Sequence, residues 1–336
     1  MRVAVLGAGS WGTALAVHLG RQGLAVRLWA RDPSIAAAIT GRRHNPFYLE
    51  DVALPAPVAA TADQDEAVGD AEVVLLAVPS EFVAGTLKSV PALREGAAVV
   101  SATKGFDPER HLRISELIAE RFPTASVAVL SGPTFAREVA RAQPTAAVLA
   151  SADEGLATRL RDAWGTREFR LYTNRDVAGV EIGGAMKNVI ALATGLADGL
   201  GLGENARAAL VTRGLTEVMR LGAALGAVPT TLTGLSGLGD LVLTCTGSLS
   251  RNRALGIAIA RGRPLVEAQG ATRMVAEGVP TVRTALVLAR RAGVSVPISE
   301  AVGSVLFAGW SPSEALAALL GRAATREDPP SRGQNA

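Results

Sequence analysis

Lysine is nearly missing from this chain. Lys88, Lys104 and Lys187 are the only ones, and the rest of its 34 basic residues are arginines. Arginine keeps its proton under all ordinary conditions, whereas lysine can give one up. A lysine in a glycine-rich or apolar setting is therefore worth examining for chemistry. Cysteine is scarcer still: Cys245 stands alone, which excludes an intramolecular disulfide and suggests a small buried apolar residue. Aromatic residues make up 4% of the chain and the arginines are scattered. That argues against nucleic-acid binding, which wants stacking platforms and clustered charge. The net charge of +3 instead suits an enzyme with anionic ligands. His18, His44 and His111 are isolated, so no metal site is expected, and His18 reads as a helix-packing residue. No basic-then-apolar leader precedes the first strand, and the expectation is a cytoplasmic protein. The longest uncharged run, Leu221 to Gly239, is long enough to span a bilayer, yet it holds five glycines, Pro229 and three threonines. It reads as loop and helix ends, and no membrane insertion is expected.

At 336 residues the chain exceeds what one hydrophobic core usually supports, so two domains are expected. In the first half, short apolar runs (Val3–Leu6, Ala25–Trp29, Val73–Val78, Ala97–Ser101, Val127–Leu130 and Ala146–Ala150) read as buried strands, with Phe169–Tyr172 a candidate last one. Continuous β-branched runs of this kind fit parallel strands covered on both faces. Helical patterns such as Thr13–Gln22 and Leu112–Arg121 lie between them. The alternation predicts an α/β fold: an N-terminal Rossmann domain with a doubly wound parallel sheet over residues 1–175. No proline occurs from Thr145 to Val228, and from Asp176 the pattern is helical. Helices are expected at Asp176–Leu200, Glu204–Leu225, Ser250–Arg261, Thr281–Ala292 and Ser311–Leu320, with Thr281 capping one and Ser311-Pro312 starting another. Residues 176–321 thus read as an all-α domain, and residues 322–336 as a disordered tail.

Gly7, Gly9 and Gly12 form G-x-G-x-x-G directly after a strand and before a helix. In that setting the motif binds the pyrophosphate of a dinucleotide. The first glycine permits the tight turn, the second the approach of the phosphates, and the third the packing of helix on strand. The first-turn N–H groups of Ser10, Trp11 and Gly12 would face the anion along the helix dipole. Twenty residues past Gly12 stands Asp32, preceded by Arg31. An acidic residue there suits the ribose 2′-hydroxyl of NAD, whereas arginine suits a 2′-phosphate. The balance tilts to NADP(H), alone or with NAD(H); the alternative is that Arg31 merely covers the sheet edge.

Four further segments carry candidate site groups, and the first two end strands, where an open parallel sheet binds ligands beyond its carboxyl ends. Ser101-Ala102-Thr103-Lys104-Gly105 ends the fourth expected strand, and Ser131-Gly132-Pro133-Thr134-Phe135-Ala136 the fifth. Glu181 to Val189 carries Gly183 one turn before Lys187. A glycine there costs about 1 kcal/mol of helix stability against alanine. Either two helices pack tightly at that face, or a substrate lies beside the Lys187 amine and the Asn188 amide. Gly234 to Asp240 is a second glycine-rich loop, followed by Thr244 and by Ser250-Arg251-Asn252 opening a helix. A helix start bearing arginine is an anion site, and Asp240 would orient Lys187.

Together these motifs resemble the NAD(P)-dependent glycerol-3-phosphate dehydrogenase family of the bacterial soluble type. The resemblance runs from Val3 to about Leu320, through GAGSWGTALA, SATKG, SGPTFA, EIGGAMKNV, GLSGLGDLVLTCTG, SRN and VAEGVPT. It implies interconversion of dihydroxyacetone phosphate and sn-glycerol 3-phosphate for glycerophospholipid synthesis, by a homodimer. It also implies that Lys187 is the acid/base group and that Lys104 touches both ligands. Gly132, Thr134, Asp240, Ser250, Arg251 and Asn252 would hold substrate. Ser10, Trp11, Arg31, Ala136, Val275 and Glu277 would contact coenzyme, with Arg251 between the two. Arg31→Ala is expected to raise KM for NADPH more than for NADH. An unchanged ratio in steady-state assays with both coenzymes would remove the tilt to NADP(H).

Overall fold

A computed structural model of the chain describes residues 1–270 and 275–323. The tail expected to be disordered lies outside the described residues from 324 onward. An eight-stranded sheet runs β3-β2-β1-β4-β5-β6-β7-β8. The strands are β1 Arg2–Leu6, β2 Ala25–Trp29, β3 Val58–Thr61, β4 Val73–Leu76, β5 Ala98–Ser101, β6 Ser126–Ser131, β7 Thr145–Ala150 and β8 Phe169–Asn174. Helices α1 Ser10–Arg21, α2 Pro33–Arg42, α3 Gln64–Val68, α4 Ser80–Ser89, α5 Ile114–Arg121, α6 Ala136–Ala140 and α7 Glu154–Trp164 connect them. Strands β4 and β5 are buried at every residue, as predominantly apolar strands covered on both faces should be.

Two features of this sheet depart from the sequence expectation. Val58–Thr61 adds a strand beside β2, so the Lys104 segment follows the fifth strand and the Gly132 segment the sixth. The sheet is also not wholly parallel: β7 pairs antiparallel to β6, and residues 132–144, which carry the five-residue α6, link the two. Between β1 and β4 the winding reverses, which opens a crevice at their carboxyl ends.

The second half is helical: α8 Val177–Gly199, α9 Gly203–Ala224, α10 Pro229–Leu232, a π-helical turn Leu235–Gly239, α11 Asp240–Thr246, α12 Arg251–Ala260, α13 Leu265–Gly270, α14 Gly278–Ala292, α15 Pro297–Phe307 and α16 Pro312–Leu320. Ser311 caps α16 in a capping box with Glu314, as expected. Thr281 does not cap α14. It lies inside that helix with its hydroxyl bonded to the Glu277 carbonyl at 2.6 Å, and Glu277 is the N-cap.

Helix α8 is the axis of this half. It is long and apolar enough to cross a membrane, but 89% of its most apolar window is buried inside the fold. Glycines let α12 cross it backbone to backbone. A Cβ on Gly256 would lie 2.4 Å from the Leu192 carbonyl oxygen, and one on Gly195 would lie 2.1 Å from that of Arg253. The two halves are also stitched together. Phe106, from the loop after β5, is buried in the helical core beside Ile182 and Met186. The buried Glu181 carboxylate of α8 accepts the Ser115 backbone N–H of α5 at 2.9 Å and the Ser115 hydroxyl. Burial pushes the Glu181 carboxyl up to about 7, opposed by those bonds to Ser115.

Gly256→Ala tests the helix crossing. On propensity alone alanine would stabilise a helix by about 1 kcal/mol; here the overlap with backbone should cost about 1–3 kcal/mol instead. Urea unfolding decides the sign, and a stabilised variant would contradict the close approach.

Candidate active site

A cleft of about 930 Å³ runs from the glycine loop, across the carboxyl ends of the strands, to the start of α12. Gly7 adopts φ +114°, and Gly9 has nothing within 4 Å of where a Cβ would stand. A side chain at Gly9 would fill the cleft, so the loop is open there for a phosphate group, beside the N-terminus of α1. Gly12 serves packing and does not line the cleft: a Cβ there would overlap the Gly7 carbonyl oxygen at 1.8 Å. Ser10, Trp11, Arg31, Ala136, Val275 and Glu277 all line it. Trp11 is fixed by an indole N–H bond to the Ala102 carbonyl at 3.2 Å. At the far end Asp32 caps α2, accepting from Ser34 N at 2.9 Å. The neighbouring Arg31 guanidinium sits 5.3 Å from the centre of the Phe82 ring.

The floor of the cleft carries the two lysines singled out by their scarcity, and Asp240 joins them. Lys104 Nζ donates to Asp240 Oδ2 at 2.8 Å, to the Gly132 carbonyl at 2.8 Å and to Thr134 Oγ1 at 2.9 Å. Those three bonds use all its donors. Lys187 Nζ donates to Asp240 Oδ1 at 2.5 Å. Among the described residues Asp240 is the one hydrogen-bond acceptor of that ammonium, which leaves donors for a ligand. Asp240 is fully buried beneath the pair, and Thr244 bonds back to its carbonyl at 2.6 Å. Burial draws the Lys187 ammonium down to about 8; Asp240 opposes that shift and Lys104 adds to it. One carboxylate against two ammonium groups leaves the floor positive.

Gly132 and Asp240 thus belong to the site from behind and do not line the cleft. Gly132 is glycine for backbone reasons: φ is +141° and a Cβ would lie 2.9 Å from the Ala147 Cα. Gly183 is likewise explained without a ligand. A Cβ there would meet the Ser236 carbonyl oxygen at 2.7 Å, so close packing of α8 against the Leu235–Gly239 turn accounts for the glycine. The Asn188 amide is engaged at both ends, donating to the Lys104 carbonyl at 2.9 Å and accepting from Asn252 Nδ2 at 2.8 Å. Asn252 in turn accepts Gly278 N at 3.0 Å. This chain of amides ties the Lys104 loop to α8, α12 and α14.

Ser250 caps α12 by accepting from Arg253 N at 3.3 Å. The exposed Arg251 donates to the Val275 carbonyl at 2.8 Å. Glu277 reaches across the cleft to Ser80 N, at the start of α4, at 3.2 Å, and burial pushes its carboxyl up. Sequence reasoning missed one wall of the cleft, Phe47 to Asp51. Its only local signal is the Asn45-Pro46 pair, a turn marker without a ligand pattern.

Two family models match the chain. The NAD-dependent glycerol-3-phosphate dehydrogenase N-terminus covers residues 2–157, and the C-terminus of the same family covers residues 176–317. The chain belongs to that family. A relative from Koribacter versatilis, a glycerol-3-phosphate dehydrogenase (NAD(P)+), is 49% identical over 97% of this chain and 98% of its own length. One of the same name from Citrifermentans bemidjiense is 48% identical over 96% and 97%. The crystal structure of glycerol-3-phosphate dehydrogenase from Coxiella burnetii superposes with a TM-score of 0.91 at 38% identity, covering 96% of this chain and 99% of that one.

Proposed function

We propose that this chain reversibly reduces dihydroxyacetone phosphate to sn-glycerol 3-phosphate with NADPH or NADH, supplying glycerophospholipid synthesis. The observation that carries this reading is the pair of cleft-floor lysines held by one buried aspartate, beside a glycine loop open for a dinucleotide. Family membership supports the same reaction. So does the division of labour between residues 1–175, which carry the dinucleotide loop, and residues 176–321, which carry Lys187. By family resemblance the working form is a cytoplasmic homodimer.

Gly7, Gly9, Ser10, Trp11 and Ala136 would hold the coenzyme, with Arg31 at the adenosine end and Val275 and Glu277 at the other wall. When bound, the nicotinamide supplies a hydride for the ketone carbon. The substrate phosphate belongs at the N-terminus of α12, where first-turn N–H groups and the Arg251 guanidinium favour an anion. Asn252 and Ser250 fix that turn. Anchoring the phosphate there orients the carbonyl oxygen toward the lysines. Lys187 then gives its proton to the developing alkoxide, and Lys104 holds positive charge beside it. In the oxidative direction neutral Lys187 takes the hydroxyl proton. Burial brings its pKa to about 8, close enough to neutrality for both roles.

Lys187→Ala should lower kcat by about 10²–10⁴-fold while coenzyme binding persists; near-normal turnover would contradict the acid/base role. The pH dependence follows in sign. Reduction needs the ammonium, so its kcat/KM should fall as pH rises through about 8, and oxidation, which needs the amine, should rise through the same value. Both limbs should vanish in Lys187→Ala.

A further inference from the structure

The wall from Phe47 to Asp51 is anchored at its start by Asn45, a fully buried residue that is remote in sequence from the glycine loop. Its Nδ2 donates to the Ala8 carbonyl at 2.9 Å and to Thr13 Oγ1 at 2.9 Å. Its Oδ1 accepts the backbone N–H groups of Phe47 and Tyr48, each at 3.2 Å. Chemistry fixes this orientation of the amide. Backbone N–H groups can only donate and the Ala8 carbonyl can only accept, so a flipped amide would oppose like to like. Thr13 adds a second, longer bond to the Ala8 carbonyl at 3.4 Å.

Ala8 is the residue between Gly7 and Gly9. In a trans peptide the C=O and the following N–H point in opposite directions. Holding the Ala8 carbonyl against Asn45 and Thr13 therefore turns the Gly9 N–H away from them, in a loop whose Gly7, Ala8 and Gly9 line the cleft. At the other end of the segment Asp51 pairs with Arg141, just past α6, and lies 3.7 Å from Arg137 of that helix. One buried amide thus sets the peptide plane at the centre of the glycine loop and starts the wall facing it.

We propose that Asn45 is a positioning residue for the coenzyme: it holds the Ala8–Gly9 peptide so that its N–H faces the pyrophosphate, independently of its role in turning the 45–48 segment. The inference rests on the reading of the glycine loop as a dinucleotide site. Two variants separate the two halves of the amide. Asn45→Ala removes both. Asn45→Asp keeps an acceptor for Phe47 and Tyr48 but, as a carboxylate, has no donor for Ala8.

The test measures inhibition constants against NADPH for ADP-ribose, which carries the pyrophosphate, and for adenosine, which does not, at pH 8. In both variants the ADP-ribose constant should rise about tenfold, the worth of one buried hydrogen bond. The adenosine constant and KM for dihydroxyacetone phosphate should stay near wild type. An Asn45→Asp variant that behaves as wild type would overturn the proposal in favour of the turn alone. Equal weakening of adenosine and ADP-ribose would overturn it in favour of a general role in groove structure. Failure of ADP-ribose to inhibit the wild-type enzyme would instead sink the dinucleotide reading itself.

Discussion

A single buried carboxylate, Asp240, holds two ammonium groups that would otherwise repel each other at the floor of the cleft. Its two oxygens lie 2.8 Å from Lys104 Nζ and 2.5 Å from Lys187 Nζ. Charges so placed are costly to bury, and the cost is tolerable only when each is paired and hydrogen-bonded. The surroundings meet that condition for Lys104, through Gly132 and Thr134, and for Asp240, through both lysines. Lys187 is left with the least compensation, so burial dominates there and its affinity for a proton falls. The same arrangement that leaves the floor positive also lowers the proton affinity of one of its lysines.

Much of the larger structure serves to bring these three side chains together. Lys104 leaves the end of β5, Lys187 projects from the middle of α8, and Asp240 opens α11. They come from both halves of the chain, so the halves must be held in register. Phe106 plugged into the helical core, Glu181 bonded to the start of α5, and the amide chain through Asn188 and Asn252 provide that. Glycines at the α8–α12 crossing let α12 approach the lysine-bearing helix.

What the sequence reveals follows from how local its causes are. The glycine loop is legible because the turn, the phosphate approach and the helix packing all act within six residues. Lys104 and Lys187 stand out because, Lys88 aside, every other basic side chain is arginine. Strand β3 is not legible: Val58-Ala59-Ala60-Thr61 is a four-residue edge strand, half of it alanine, with no clear alternation of apolar and polar residues. Helix α15 is hidden for a different reason. Its start is capped by the Glu217 carboxylate, which accepts Ile298 N at 2.8 Å and Ser299 N at 2.9 Å from far along the chain. The direction of β7 and the purpose of Gly183 likewise depend on neighbours remote in sequence. Asn45 belongs to this group: its partners, Ala8 and Thr13, lie beyond any local pattern.

The scarcity of lysine offers a direct measurement of the central claim. With the side-chain nitrogens of lysine isotopically labelled, the spectrum should contain three resonances, from Lys88, Lys104 and Lys187. One of them should titrate near 8 and disappear in Lys187→Arg. Three lysines that all titrate near the ordinary value of about 10.4 would contradict it.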